Sequence, residues 1–154
     1  MFRVYTDTSV FGGVFDTEFS HPSTLFFNQV RAKRFQLVIS PVVQDEIQLA
    51  PDDVRSLFDN LFPLTEFVEI SEQALLLRQA YLQTGIVTPK SAADALHVAL
   101  ATIARCNFIV SWNFKHIVHF QKIPLYQAVN KLRGYHEIDI YSPLEVIADD
   151  NEII

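Results

Sequence analysis

The sequence predicts an α/β domain wound around a parallel sheet of about five strands. Short apolar runs near 2–6, 35–39, 66–70, 107–111 and 137–141 have the length and the β-branched or aromatic content of strands. Helical patterns lie between them, and this alternation is the one from which parallel sheets are built. Several runs stop at a small polar residue that opens a helix, so the connections are short.

In chain order, Phe2-Arg3-Val4-Tyr5-Thr6 forms the first strand and Asp7 closes it. Helical spacing covers about 22–33. After the second strand, Ser40-Pro41 offers a cap followed by proline at the first helical position, where no N–H is needed. Another helix is expected over about 53–61. Ser71 opens the helix of Leu75-Leu76-Leu77, and Gly85 closes it by adopting left-handed backbone. Ser91 opens a further helix, one over about 124–133 stops at Gly134, and Ser142-Pro143-Leu144-Glu145 has the spacing of a capping box.

At 154 residues, 49% of them hydrophobic, the chain suits a single domain over 1–148 with its own core. The remaining 149–154, with Asp149, Asp150 and Glu152, read as a solvated acidic tail. The lone Cys106 excludes an internal disulfide and a cysteine zinc site, which suits a reducing cytoplasm. No apolar stretch approaches the ~20 residues that span a bilayer, and no signal-like segment follows Arg3. A soluble, cytoplasmic protein without membrane attachment is expected. The formal charge of −6 argues against a broad basic surface for duplex nucleic acid, so any such contact is local or carried by bound cations.

Three carboxylates stand where strands end or helices begin. Asp7 lies in Tyr5-Thr6-Asp7-Thr8-Ser9, where an apolar run turns polar; it either delivers a ligand from a strand tip or caps the turn that follows. Glu46 is separated from Asp45 by helix phase: Val42, Glu46 and Leu49 share one face, whereas Asp45 aligns with Pro41, Gln48 and Asp52. An inward carboxylate requires a partner, either a basic side chain or a metal. Asp94 stands three residues after Ser91, the spacing of a capping box, in a first turn where the helix dipole favours a carboxylate and hence a cation beside it. If the strands form a parallel sheet, all three acids gather at its carboxyl edge.

Other candidates have plainer alternatives. His97 follows Asp94 by one turn and either faces the same cleft or is a core-edge histidine with one hydrogen bond. Asn113, after the strand Phe108-Ile109-Val110, is either a neutral fourth ligand or a turn residue. His116 and His119 lack the companions of a zinc site. Phe11, Phe15, Phe26, Phe27 and Trp112 either stack on unpaired bases or fill the core, and Arg31-Ala32-Lys33-Arg34 meets phosphates or solvates a helix end.

The ordered set Asp7-Thr8-Ser9, Val43-Gln44-Asp45-Glu46-Ile47, Asp94-Ala95-Leu96-His97-Val98-Ala99 and Ser111-Trp112-Asn113 resembles the PIN-domain nucleases, and within them the bacterial VapC-type toxins. The resemblance spans nearly the whole chain and includes Ile138-Asp139-Ile140-Tyr141-Ser142-Pro143 as the last strand and turn. It implies a three-layer α/β/α sandwich and a metal-dependent endoribonuclease that uses Mg²⁺ or Mn²⁺. By position, Asp7, Glu46 and Asp94 match the family's acids, and Ser9 matches a residue supporting the first. Asn113 falls where many members carry another aspartate, and His116 where a second acid often follows. The resemblance also implies an RNA substrate, an antitoxin partner and a homodimer.

Three rival classes each have residue requirements of their own. An aspartyl phosphatase requires a second aspartate two residues after the first, where this chain has Ser9. A dinucleotide site requires a glycine-rich loop directly after the first strand, which is absent. A non-catalytic PIN-like module that binds RNA or protein without cutting it remains the alternative, because fold does not fix function.

Overall fold

The computed structural model describes residues 1–148; the expected acidic tail lies outside the described residues. Five strands form one sheet: β1 (Phe2–Thr6), β2 (Phe35–Ile39), β3 (Thr65–Phe67), β4 (Phe108–Val110) and β5 (Asp139–Tyr141). Their spatial order is β3-β2-β1-β4-β5, and every neighbouring pair is parallel. Strands buried on both faces must be apolar throughout; Val4, Tyr5, Leu37, Val38, Ile39, Ile109 and Val110 are all fully buried.

The helices are α1 (Ser9–Gly13), α2 (Ser20–Arg31), α3 (Pro41–Gln48), α4 (Asp52–Leu61), α5 (Glu72–Thr84), α6 (Ala92–Ile103), α7 (Ile123–Leu132) and α8 (Pro143–Val146). The chain runs outward from β1 through β2 to β3, then crosses back to β4 and β5. Right-handed crossovers therefore lay α1 to α4 on one face and α5 to α7 on the other. Contacts agree, with α2 meeting α1 and α8, and α5 meeting α6 and α7. The result is the expected α/β/α sandwich around a parallel sheet.

Eight consecutive residues of α6, Ala95 to Thr102, are buried, as expected for a helix enclosed between sheet and outer helices. A buried polar chain locks the helices of this face: the Tyr81 hydroxyl donates to Asn130 Oδ1, and Asn130 Nδ2 donates to Thr102 Oγ1 at 3.0 Å. Phe11, Phe26 and Phe27 form an aromatic cluster in the core of the other layer, so these three serve packing and not base stacking.

Most start and stop signals operate as expected. Ser71 Oγ accepts the Ala74 N–H at 3.1 Å, Gly85 and Gly134 take φ of 79° and 83°, and Ser142 and Glu145 form the capping box. Two caps differ. Ser40 has the N-cap backbone of α3 but its hydroxyl makes no capping bond, because it meets the Tyr5 hydroxyl instead. Ser91 likewise does not cap α6; its hydroxyl meets His116, so the expected Ser91–Asp94 capping box is not formed. α1 has no counterpart in the sequence reading, and β3 is shorter than the expected 66–70. Cys106 is buried, and burial pushes its thiol up to about 12.

Candidate active site at the carboxyl edge

The strand register builds the floor of the site. Tyr5 pairs with Val38 and Thr6 with Val110, so extending the same ladders sets Asp7 beside Ser40 on one side and Ser111 on the other. The chain leaves β1 for one face of the sheet and reaches β4 from the other, which makes the β1/β4 gap the topological switch point where such sheets open a crevice. Helices α3 and α6 run back along the sheet from this edge and bring Glu46 and Asp94 to it. Asp7, Ser9, Glu46, Asp94, His97 and Asn113 all line one cleft of about 500 Å³. Its opposite wall is apolar, with Ala50, Pro51 and Val54.

Asp7 is 4% exposed. Its Oδ1 accepts the Ser9 hydroxyl at 2.6 Å and the Ser9 N–H at 3.2 Å, and its Oδ2 accepts the Ser111 hydroxyl at 2.8 Å. Ser9 therefore supports the first acid, and Ser111 does so equally. Burial raises the Asp7 pKa, nearby His97 and the two serine hydroxyls oppose the rise, and the charge of Glu46 adds to it. Among the described residues no lysine or arginine pairs with Asp7.

Glu46 is half-buried and Asp45 exposed, but the face that Glu46 shares with Val42 and Leu49 is not the inward one expected. Leu49 is 91% exposed, so the Glu46 face opens on the cleft while Val43 and Ile47 fill the core. Its partner is neither lysine nor arginine: Glu46 Oε1 accepts from His97 Nε2 at 2.7 Å and from the Thr8 hydroxyl at 2.9 Å. Burial pushes its pKa up, but the His97 hydrogen bond and charge together with Thr8 outweigh this and leave it lowered.

His97 is buried and uses both ring nitrogens, since its Nδ1 lies 2.7 Å from the Tyr5 hydroxyl, itself 2.8 Å from Ser40 Oγ. Two proton arrangements satisfy the row, and in both Nε2–H donates to Glu46: either Ser40 donates to Tyr5 and Tyr5 to an unprotonated Nδ1, or a protonated Nδ1 donates to Tyr5 and Tyr5 to Ser40. The histidine thus has two partners where one was expected. Tyr5, Thr8, Ser40 and Ser111 went unread in the sequence as site residues; their only signal is the register that sets strand ends side by side.

Asn113 lines the cleft, and its Oδ1 accepts the His116 N–H at 3.0 Å, a turn-forming bond. Trp112 is buried, stacks on Phe19 at 4.2 Å and donates to Ser23. His116 contacts Ser91 and Lys122; burial first, and then Lys122, lower its pKa. Arg31 bonds Asn28 and Asn60, and Arg34 bonds Gln29 and Val146, so both arginines tie helix ends.

Among the described residues, no three His, Cys, Asp or Glu side chains stand close enough to hold a metal ion. The oxygens of the cleft nevertheless suit a hard divalent cation in kind. Among the described residues, no hydrogen bond restrains Asp94 or Glu46 Oε2.

No family model and no curated protein matches the chain. Solved structures match it over nearly its whole length. A chain of VapBC2 from Rickettsia felis, crystallised bound to a DNA fragment from its promoter, superposes with a TM-score of 0.59 at 15% identity, covering 91% of this chain and 98% of that one. A chain of FitAcB from Neisseria gonorrhoeae gives 0.61 at 12% identity over 93% and 99%. A chain of VapBC-1 from nontypeable Haemophilus influenzae gives 0.61 at 13% identity over 92% and 98%. At such identities the likeness is one of fold, and the fold is PIN-like.

Proposed function

We propose that this chain is a divalent-metal-dependent endoribonuclease that hydrolyses RNA phosphodiester bonds and acts as the toxin of a toxin–antitoxin pair. The observation that carries the reading is the convergence of Asp7, Glu46 and Asp94, from three separate elements, on one cleft at the carboxyl edge of the sheet. A buried Asp7 carboxyl without a basic partner is left in need of a cation to ionise readily. Mg²⁺ or Mn²⁺ bound there supplies a water of lowered pKa and offsets charge developing on phosphate.

The protein groups do the positioning. Ser9 and Ser111 hold the Asp7 carboxylate in one orientation. His97 and Thr8 hold one oxygen of Glu46 and leave the other directed to the cleft. Asp94 stands at the amino-terminal end of α6, where it completes the acidic set. The apolar wall of Ala50, Pro51 and Val54 limits water on the far side. An antitoxin covering the cleft and a homodimeric assembly belong to the same reading, which the likeness in fold to the VapBC and FitAcB chains supports.

The open spacing of the carboxylates favours one alternative, a non-catalytic PIN-like module that binds RNA or protein. Incubation of wild type, Asp94→Asn and Glu46→Gln with single-stranded RNA separates the two. Nuclease chemistry requires cleavage with Mn²⁺, none in excess chelator, and loss in both variants. Binding of RNA without cleavage under any metal condition would establish the module.

A further inference from the structure

We propose that the rim of the cleft formed by Lys90, Phe114, Lys115 and Lys122 is the surface that grips single-stranded RNA, with the lysines on phosphates and Phe114 stacked on a base. This rests on the ribonuclease reading above and identifies where that substrate is held.

The chain carries six more acidic than basic residues and only five lysines, yet three of these lysines lie in two short segments that meet. The one-turn 3-10 helix Pro89–Ser91 is joined to the segment after β4 by the Ser91 Oγ to His116 Nε2 contact of 3.2 Å, and Lys122 Nζ lies 3.3 Å from His116 Nδ1. The rim adjoins the cleft on both sides, since Asp94 follows the first segment and Asn113 opens the second, and both line the cleft. Among the described residues, none of the three lysines pairs with a carboxylate. Arg3, Arg55, Lys131 and His97 have such a partner; Arg31, Lys33, Arg34, Arg78, Arg105 and Arg133 have none among the described residues, but none of these six adjoins a residue of the cleft lining in sequence. Unneutralised cations around an acidic cleft match a polyanion whose scissile phosphate must enter it.

Phe114 supplies the second element. It is 47% exposed, but its ring is braced by Trp112 at 6.0 Å and Phe19 at 6.4 Å. A held aromatic face beside lysines is the combination that takes unpaired bases without sequence preference. Of the expected stacking residues, Phe11, Phe26, Phe27 and Trp112 are buried and only Phe15 is exposed.

The test is fluorescence anisotropy of a short labelled single-stranded RNA of mixed sequence, in chelator so that nothing is cut, across a salt series. The double variant Lys115→Gln, Lys122→Gln should bind about tenfold more weakly and flatten the slope of log K against log salt by about 1.4, two phosphates at roughly 0.7 each. Phe114→Ala should also lose about tenfold, but at unchanged slope, because stacking releases no counterions. Phe114→Leu, which retains bulk against Trp112, should lose nearly as much and so separates stacking from misfolding. Arg31→Gln with Lys33→Gln, away from the cleft, should leave binding intact. RNA binding and cleavage that survive in all rim variants would overturn the rim and leave the ribonuclease reading standing. A wild type that neither binds nor cuts RNA would overturn both. Retained RNA binding with lost affinity for an acidic peptide would reassign the rim to a protein partner and refute the proposal.

Discussion

Replacing Tyr5 with phenylalanine removes one oxygen from a row of hydrogen bonds that has no access to water. Tyr5 and Ser40 are 0% exposed and His97 is 1% exposed. In Tyr5→Phe both His97 Nδ1 and Ser40 Oγ lose their partner in the row. Ser40 can recover by turning its side chain to the free N–H groups at the start of α3, its alternative role as an N-cap. Nδ1 has no such recourse, because the other ring nitrogen is committed to Glu46. An orphaned buried polar group costs about 1–3 kcal/mol, so a loss of roughly 2 kcal/mol is expected, equivalent to about 4–8 °C in Tm for a chain of this size.

Urea unfolding monitored by circular dichroism measures this as a fall in midpoint at constant slope. Tyr135→Phe is the control, since its hydroxyl is only half-buried and bonds no described residue; it should stay within about 0.5 kcal/mol of wild type. Combining Tyr5→Phe with Ser40→Ala should cost less than the sum of the two, because they share one bond. A Tyr5→Phe midpoint matching that of Tyr135→Phe would refute the row, and so would strict additivity with Ser40→Ala.

Other expectations concern single groups. Because the Asp7 pKa is raised in the fold, the native state binds more protons there than the unfolded chain, and this term stabilises progressively as pH falls from the raised value toward the ordinary carboxylate range. Glu46, lowered in the fold, acts oppositely: its contribution is present above the ordinary range and fades as pH falls through its depressed value. Asp7→Asn should abolish any Mn²⁺-dependent rise in Tm, and a carboxyl NMR titration of the metal-free wild type should place Asp7 above the ordinary aspartate range; a value at or below that range would contradict the assigned direction. Gly13→Ala should destabilise by roughly 1–3 kcal/mol, because an added Cβ would stand 2.5 Å from Ser23 Oγ and 2.7 Å from Trp112 Nε1; an unchanged thermal midpoint would refute it. Asn113→Ala should cost about 1 kcal/mol through the lost bond to the His116 N–H and leave Mn²⁺ affinity by calorimetry unaltered, whereas weakened affinity would make it a ligand.

Residues whose roles depend on local pattern could be read from the sequence. Asp7 stands where an apolar run meets three polar residues, and Glu46 is distinguished from Asp45 by helix phase; both inferences need only neighbours within a turn. Roles set by pairing across the chain could not be read. Ser111 reaches Asp7 over 104 positions and His97 reaches Tyr5 over 92, and only the strand order makes them neighbours. Ser40 and Ser91 show how local signals mislead. Each has cap-like spacing, but a buried tyrosine hydroxyl and a histidine ring offer their side chains other partners. A helix can lose one capping bond at its open end to water, whereas Tyr5, sealed in the core, cannot replace its partner.

The sheet order explains why the acids meet although sequence separates them. With β1 central, the chain must leave it over one face and return to β4 over the other, so no connection covers the gap above Asp7 and Ser111. α3 follows β2 directly and so starts at that same edge, and α6, which leads down into β4, carries Asp94 there in its first turn. Glu46 and Asp94 arrive on rigid helices, while Asp7 is held by hydroxyls from its own turn and from Ser111 just after β4. Such an arrangement fixes two of the three carboxylates by hydrogen bonds and leaves Asp94 unbound by any described residue. In the proposed ribonuclease Asp94 is therefore the carboxylate that no hydrogen bond holds back from a cation.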